Sequence, residues 1–404
     1  MANSRKKTKK TTPSVREKTE DSAEKTSRHS FKGCLSVLVV LAIAAAAAFT
    51  FVPEEKVPAA LDPLHTELLA ARNTLIAKTG LDISRFDDTA VVEVPGASPV
   101  KLYFAPSPNI KRGLCDFIRS AKSTVDICIY DLDLNEVADA LLDAQARKVE
   151  VRLVTDEDNV MMAAVEKLKR AGVTVVPDNR PAIMHNKFVI VDARYLWTGS
   201  YNFTVNGTRR NDNNALILES PEIAACYLAK FNEYIAGKFG PKASWKTFGG
   251  RVVLGRMPVI AAFSPADGIR NLLLDELSHA KNSVKLMAFS FTDQEIADCL
   301  GSLAKKGVSV KCLFDFGQAN SKYSQDSYLR GCGVKIKLSP NRSGKMHHKV
   351  IIIDDETVIT GSYNYSKNAE RNNDENILIL KNREIAALYV KEFKRCWKGT
   401  KGYL

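Results

Sequence analysis

Hydrophobic and polar positions alternate in regular blocks over residues 100–397. Short apolar-rich runs, typical of strands, are each followed by a stretch with helical periodicity. This pattern predicts strands at 125–130, 149–154, 173–176, 284–291 and 308–314, and helices at 134–148, 159–172, 294–306 and 321–331. Strands that alternate with helices of this length are typical of α/β units, so we expect a largely parallel sheet in each group of elements.

The block pattern occurs twice in the chain. Residues 101–106 correspond to 260–265, and residues 123–127 correspond to 282–286. Three further pairs are each separated by 162 residues: His185 and His347, Asn202 and Asn364, Asn214 and Asn376. Duplication is the simplest explanation. We therefore predict an α/β fold with two tandem repeats that form one bilobed unit, with repeat 1 at 99–240, a linker at 241–257 and repeat 2 at 258–404.

The segment before the repeats has a different pattern. Residues 34–52 carry no charge and are long enough to cross a bilayer as a helix. They follow a tail, residues 1–33, that is rich in Lys, Ser and Thr and is expected to be disordered. We predict a transmembrane helix at 34–52 that serves as the membrane anchor, followed by a stalk at 53–98.

Charge sets the orientation of this predicted anchor. The tail contains ten Lys or Arg residues and four acidic residues, which places it in the cytoplasm and the repeats on the extracytoplasmic side. The alternative is a cleavable signal peptide, because Ala46-Ala47-Ala48 resembles a cleavage site, and a secreted protein would result. The tail supplies half of the net charge of +12, and the modest remainder suits both phosphate-bearing partners and ordinary solubility.

Two short signatures contain the candidate chemistry. The first places His185, Lys187 and Asp192 in the pattern His-x-Lys-x4-Asp, and the second does the same with His347, Lys349 and Asp354. On a strand, side chains two residues apart point to one face, so each His and its Lys lie together while the residue between them, such as His348, faces away. These six residues are the predicted catalytic residues. To interpret both histidines as ordinary core residues would require the same coincidence twice.

Each signature is followed by a second element that occurs in both copies of the repeat, Gly-Ser-x-Asn. It places Ser200 and Asn202 in the first copy and Ser362 and Asn364 in the second, and we predict that these residues bind substrate. Metal-free cleavage of a phosphodiester needs a nucleophile, an acid for the leaving oxygen, and positive charge around the other oxygens. Two histidines and two lysines can meet these needs. The cysteines form no Cys-x-x-Cys pair, and we predict neither a metal nor a cofactor.

Both signatures, with their Gly-Ser-x-Asn elements, resemble the phospholipase D superfamily. The resemblance implies a phosphodiester-cleaving enzyme with a covalent phosphohistidine intermediate, His185 as nucleophile and His347 as acid, although the symmetry of the sequence does not distinguish the two. For Asp192 and Asp354 it implies that they orient histidines or support the fold. Glu375, included with the substrate-binding residues, is expected to orient a histidine, and Asn213 occupies its place in the first copy.

The second half is most similar to the branch of small bacterial endonucleases and mitochondrial phospholipase D-like enzymes. This similarity lies in residues 289–293, 318–324 and 346–349, and it implies nucleic acid or a phospholipid such as cardiolipin as substrate. Basic residues near the signatures slightly favour a nuclease: Arg209, Arg210, Lys345, Lys367 and Arg371. Phospholipid hydrolysis, phosphatidyl transfer and a catalytically silent binding protein are the alternatives. Because one chain holds both signatures, we expect a monomeric active unit.

Overall fold

The computed structural model describes residues 89–243 and 250–399. The predicted tail, the predicted anchor at 34–52 and most of the predicted stalk lie outside these ranges. The strands of the first half are β1 (Ala90–Val92), β2 (Val100–Ala105), β3 (Thr124–Ile129), β4 (Glu150–Thr155), β5 (Thr174–Pro177), β6 (Lys187–Val191), β7 (Tyr195–Gly199) and β8 (Asn213–Glu219). Its helices are α1 (Pro108–Arg119), α2 (Asn135–Ala146), α3 (Ala163–Arg170), α4 (Val205–Arg209) and α5 (Pro221–Ile235).

The second half repeats this order of elements. Its strands are β9 (Gly250–Leu254), β10 (Met257–Ser264), β11 (Ser283–Ala288), β12 (Ser309–Phe314), β13 (Lys335–Leu338), β14 (Lys349–Ile353), β15 (Thr357–Gly361) and β16 (Glu375–Lys381). Its helices are α6 (Ile269–Ser278), α7 (Gln294–Lys305), α8 (Phe316–Ala319), α9 (Asp326–Gly331), α10 (Lys367–Arg371) and α11 (Arg383–Lys398). The predicted repeat of α/β units is confirmed.

Each half contains one eight-stranded sheet. The strand order is β1-β2-β8-β7-β6-β3-β4-β5 in the first half and β13-β12-β11-β14-β15-β16-β10-β9 in the second. Only β3-β4-β5 and β11-β12-β13 pair in parallel, and all other neighbours are antiparallel. The expectation of a largely parallel sheet was therefore wrong. The cause lies after the third parallel strand, where a loop replaces a crossover helix and the motif strand β6 runs back against β3.

The buried hydrophobic residues of the described ranges form three clusters. One cluster lies under the outer helices of the first half, and a second lies under those of the second half. The third lies between the sheets and draws on both halves, with Phe188 and Tyr227 from the first and Phe263 and Phe393 from the second. The two halves thus share one apolar cluster, which favours one folded unit over two independent domains.

Helices α5 and α11 contribute to this central cluster, and each begins in the same way. Ser220 Oγ accepts a hydrogen bond from the backbone N–H of Ile223, and Asn382 Oδ1 accepts one from Ile385. Such N-caps satisfy backbone donors that the first turn leaves open. The caps directly follow strands β8 and β16, which begin at Asn213 and Glu375. Each cap therefore fixes the direction in which the chain leaves its strand.

Two of the predicted boundaries differ from the structure. Residues 90–92, predicted as stalk, form edge strand β1, which pairs with β2. Residues 250–254, predicted as linker, form edge strand β9, which pairs with β10. Each is short and lies next to turn-forming Gly or Pro residues, so its strand pattern is weak in the sequence. Among the residues that the structure describes, no helix is long and apolar enough to cross a membrane.

Candidate active site

The two motif strands begin at the seam between the halves. His185 lies two residues before the first residue of β6, and His347 lies two residues before that of β14. The backbone N–H of His185 donates to the carbonyl of Asp374 at 2.9 Å, and that of His347 donates to the carbonyl of Asp212 at 2.9 Å. Each histidine is therefore held by the half to which it does not belong. The structure brings both signatures into one site, as the repeat predicted.

The ring of His185 is oriented by a carboxylate from the second half. Its Nδ1 lies 2.7 Å from Oε2 of Glu375. The other oxygen of Glu375 accepts a hydrogen bond from Asn373 Nδ2 at 3.2 Å, and Glu375 is fully buried. Because a carboxylate can only accept, Nδ1 of His185 carries the proton and Nε2 is left with its lone pair. Both oxygens of Glu375 are occupied, so its position fits the orienting role and not the binding of substrate.

The ring of His347 is oriented without a carboxylate. Its Nδ1 lies 2.9 Å from Oδ1 of Asn213 and 3.2 Å from the carbonyl oxygen of Ser200. Asn213 Nδ2 donates to the carbonyl of Gly207, which fixes the direction of this amide. Both partners of Nδ1 are thus neutral acceptors. The difference in sequence between Asn213 and Glu375 becomes a difference in charge beside the two histidines.

The two lysines are buried next to the histidines. Lys187 Nζ donates to the carbonyl of His185 at 2.5 Å, and Lys349 Nζ donates to the carbonyl of His347 at 2.8 Å. Burial lowers the pKa of Lys187 to about 7 against the opposing effect of Glu375, and burial also holds the pKa of Lys349 well below its ordinary value. An anion between them would restore both ammonium charges, as expected at a phosphate site.

Burial and nearby cations also lower the pKa values of the two histidines. Burial lowers the pKa of His185 to about 4, although the carboxylate of Glu375 acts in the opposite direction. The pKa of His347 is held well below its ordinary range, first by burial and then by the charges of Lys349 and Lys187. Each histidine is therefore influenced by cationic groups of both halves. The four side chains act electrostatically as one cluster.

Two aromatic side chains flank this cluster, and the motifs do not include them. The ring of Tyr130 lies 5.2 Å from that of His185, and the ring of Phe289 lies 4.9 Å from that of His347. The ammonium groups of Lys187 and Lys349 lie over these two rings at 5.1 and 4.9 Å. Both aromatic residues directly follow the corresponding strands β3 and β11, so an alignment of the two repeats could have revealed them.

The residues predicted to bind substrate are arranged in two ways. The serines are fully buried, and their hydroxyl groups bond to the neighbouring strand: Asn214 N donates to Ser200 Oγ, and Asn376 N donates to Ser362 Oγ. They therefore support the site. Asn202 and Asn364 are half-buried, and Oδ1 of each has no hydrogen-bond partner among the described residues. These two amides retain hydrogen-bonding capacity for a ligand.

Asp192 and Asp354 lie at the far ends of β6 and β14 and do not reach the histidines. Asp192 accepts hydrogen bonds from the backbone N–H groups of residues 122–124. Asp354 accepts bonds from the backbone N–H groups of residues 281–283. Five strand residues separate each carboxylate from the catalytic end. Their inclusion among the catalytic residues needs correction, and the geometry supports the alternative role in stabilising the fold.

His348 faces away from the site, as the alternation predicted. Its Nδ1 lies 3.0 Å from Asn214 Nδ2, and its Nε2 lies 2.9 Å from Glu392 Oε1. His348, Glu392 and Cys396 form a group of three side chains that could ligate a metal, with ligand atoms within 4.8 Å of one another. Arg395 already donates to both oxygens of Glu392, so the carboxylate charge is compensated without a metal.

Comparison with known proteins identifies the family. The family model described as "Cardiolipin synthase, PLD-like domain" matches residues 114–235 and again residues 273–397, which together exceed half of the chain. The chain belongs to this phospholipase D-like family. Each match contains one signature and the residue that orients the histidine of the other signature, and the predicted resemblance and tandem repeat are both confirmed. The prediction of an enzyme is confirmed at the level of the family.

Individual relatives cover only parts of the chain. A phospholipase D of Rickettsia bellii is 34% identical over 133 residues, and a mitochondrial cardiolipin hydrolase of Chlamydomonas reinhardtii is 30% identical over 132 residues. Each alignment covers 32% of this chain, and the chain spans 66% and 59% of the lengths of these two relatives.

A solved structure resembles the whole two-lobed unit. The phosphatidylserine synthase of Haemophilus influenzae superposes with a TM-score of 0.60 and covers 79% of this chain and 90% of its own. Its sequence is 12% identical. This likeness concerns the fold alone.

Proposed function

We propose that the protein is a phosphodiesterase that cleaves its substrate through a phosphohistidine on His185. One observation carries this proposal: His185 has a carboxylate at Nδ1 whereas His347 has an amide. When Nε2 bonds to phosphorus, the imidazole becomes positively charged. A carboxylate 2.7 Å away stabilises that charge, and the neutral amide at His347 does not.

The first step uses both histidines. Nε2 of His185 attacks phosphorus, and the bond from phosphorus to the leaving oxygen breaks. His347 gives its proton to that oxygen, and the first product leaves as an alcohol. In this proposal Lys187 and Lys349 hold the two oxygens that carry the negative charge, and Nδ2 of Asn202 and of Asn364 donates to the same oxygens.

The second step restores the site. His347, now neutral, takes a proton from water as the water oxygen bonds to phosphorus, and the bond to His185 breaks. The products are a phosphomonoester and an enzyme ready for another cycle. If an alcohol replaces water, the same step transfers the phosphoryl group. Two buried ammonium groups supply positive charge of the kind that a metal would supply, so we expect full activity in EDTA.

For the substrate, we propose nucleic acid, with phospholipid as the second candidate. Lys345 is exposed and close enough to lower the pKa of His347, and Arg342, three residues earlier, is also exposed; these cations favour a substrate with several phosphates. The second candidate is favoured by the relatives that are called phospholipase D and cardiolipin hydrolase. A parallel assay of the purified protein in EDTA separates them, with single-stranded DNA, phosphatidylcholine vesicles and cardiolipin vesicles. Turnover of either vesicle but not of DNA would reverse the order.

We also propose that residues 34–52 anchor the protein in a membrane with the catalytic unit on the extracytoplasmic side. The uncharged segment after a basic tail supports this proposal. Protease added to intact cells should remove the catalytic unit from the membrane fraction. A soluble protein that begins near residue 49 would instead support cleavage of a signal peptide. Because both signatures lie in one chain, we further propose a monomeric active unit, which light scattering of active protein tests.

A further inference from the structure

Three aromatic side chains on the second half each carry a cation. We name this set the aromatic–cation surface: Phe289 with Lys345 at 5.4 Å, Phe316 with Arg342 at 3.3 Å, and Tyr323 with Lys322 at 5.0 Å between the cation and the ring centroid. Phe316 is 40% exposed and Tyr323 is 65% exposed. Exposed apolar side chains that are rimmed by polar groups are typical of interaction sites.

The cations of this surface are available to a ligand. Lys322, Arg342 and Lys345 are exposed, and none of them forms an ion pair with a carboxylate within residues 89–243 and 250–399. Cations that alternate with aromatic rings are the combination that binds single-stranded nucleic acid, since the cations meet phosphates and the rings meet bases. A patch intended only for solubility would not need the rings.

The aromatic–cation surface begins at the active site. The Phe289 ring contacts His347. Phe316 directly follows Asp315, whose Oδ2 accepts a hydrogen bond from the backbone N–H of Met346, next to His347. The loop that carries Tyr323 returns to Phe291 through the bond from Gln325 N to the carbonyl of Phe291. All three rings therefore lie on segments that are tied to the His347 side.

The corresponding rim of the first half has the opposite charge. The loops after β3 and β4 carry Asp131, Asp133, Glu157 and Asp158. Burial raises the pKa of Tyr130, and the carboxylates of Asp156, Asp131 and Asp158 raise it further, so acidic side chains lie close to the ring on which Lys187 also rests. A strand with repeated phosphates would be repelled on this side and attracted on the other.

The rest of the inference depends on the proposed function, because the reaction gives the two sides different roles. The leaving oxygen must lie at His347, which protonates it, opposite the attacking Nε2 of His185. We propose that the leaving group is the long arm of a single-stranded polynucleotide and that it lies along the aromatic–cation surface, while the acidic rim excludes further phosphates from the His185 side. Cleavage then occurs near one end of a strand.

Steady-state kinetics with two substrates test this inference. The small diester bis(p-nitrophenyl) phosphate reaches only the active site, and a single-stranded oligonucleotide also reaches the surface. For the double variant Phe316→Ala/Tyr323→Ala we expect a rise of about tenfold or more in KM for the oligonucleotide, since each stacked base contributes severalfold. Hydrolysis of the small diester should change by less than about twofold.

Matched controls use exposed residues elsewhere. Met161→Ala removes a side chain that is 72% exposed in the loop after β4, and Arg383→Ala removes a cation that is 80% exposed on α11. Neither should change KM for the oligonucleotide. Charge reversal provides an independent variant: Glu157→Lys should lower that KM and allow cleavage further from the strand end.

The outcomes separate the inference from the proposed function. If the wild-type protein fails to hydrolyse the small diester, the proposed function fails. If the diester is hydrolysed but the double variant leaves KM for the oligonucleotide unchanged, or if it impairs turnover of phosphatidylcholine or cardiolipin vesicles instead, the inference is overturned. Cleavage at random positions along an end-labelled oligonucleotide would also overturn it.

Discussion

The two halves of the molecule share one fold and one signature, yet they hold their histidines differently. Glu375 orients His185, and Asn213 at the corresponding position orients His347. In both cases the orienting residue comes from the opposite half. A substitution in one copy therefore changes the chemistry of the histidine in the other, which is how a duplicated chain can assign different roles to two identical motifs.

The support beneath these orienting residues also differs. Glu375 follows Asp374, which is bound by Arg180 and by the backbone N–H of Gly240. Asn213 follows Asp212, which is bound by Arg395 from α11. In each half an arginine from the other half holds the aspartate in place. Both arginines hold the aspartate that precedes an orienting residue, but they come from different elements of the fold. The two halves therefore differ in sequence around the same central arrangement.

The largest effect should come from removal of either histidine. His185→Ala and His347→Ala should each reduce hydrolysis of a phosphodiester by at least about 100-fold, because one nucleophile and one acid serve a single site. Circular dichroism and thermal unfolding serve as controls for the fold. If either single variant kept more than about a tenth of the activity, each half would have to work alone, and a single site shared by both histidines would be ruled out.

The orienting residues should give the next largest effect, and it should be unequal. Glu375→Gln keeps the shape but removes the charge that stabilises His185, and we expect kcat to fall by about 10-fold to 100-fold. Asn213→Ala should cost less, since the carbonyl of Ser200 still accepts from His347 Nδ1. The measurement is kcat for both variants on one substrate. Equal losses would remove the basis for assigning the nucleophile.

The pH dependence of catalysis tests the protonation states of the histidines and lysines. Below the pKa of His185, about 4, its imidazole is protonated and cannot attack. On the alkaline side the reaction needs the proton of His347, whose pKa is held well below its ordinary range, and the ammonium charge of Lys187, whose pKa is about 7. We therefore expect kcat/KM of the free enzyme to be bell-shaped, with an acid limb near pH 4 and an alkaline limb at or below about pH 7. Burial lowers the pKa of His185 and Glu375 raises it, so Glu375→Gln should move the acid limb downward. A profile that rises up to pH 9 would contradict this picture.

The smallest effect on catalysis should come from Asp192 and Asp354. Asp192→Ala removes an acceptor for three backbone N–H groups at a mostly exposed turn, so we expect a loss of about 1 kcal/mol in the free energy of unfolding. Asp192→Asn keeps an acceptor and tolerates the positive φ of 54°, and it should be milder. Activity per folded molecule should stay within about twofold. A 100-fold loss in either variant would restore these residues to the catalytic set.

Some features of the fold and the site could be predicted from the sequence and others could not, for physical reasons. The histidines and lysines could be predicted because alternation on a strand and an exact repeat are local properties. The pairing of Glu375 with His185 across the seam could not, since it depends on how two sheets pack. Asp192 and Asp354 were misassigned because a five-residue strand separates two functions within one motif. The antiparallel return of β6 was missed because nothing local distinguishes a long loop from a crossover.

Trapping of the covalent intermediate identifies the nucleophile directly. In His347→Ala the base that activates water is missing, while p-nitrophenolate leaves without an acid. Incubation of this variant with bis(p-nitrophenyl) phosphate, followed by intact mass measurement and peptide mapping at neutral to alkaline pH, should find close to one phosphoryl adduct per chain on His185, and none after the further change His185→Ala. An adduct on another residue, or rapid turnover without any adduct, would contradict a shared site in which His185 is the nucleophile.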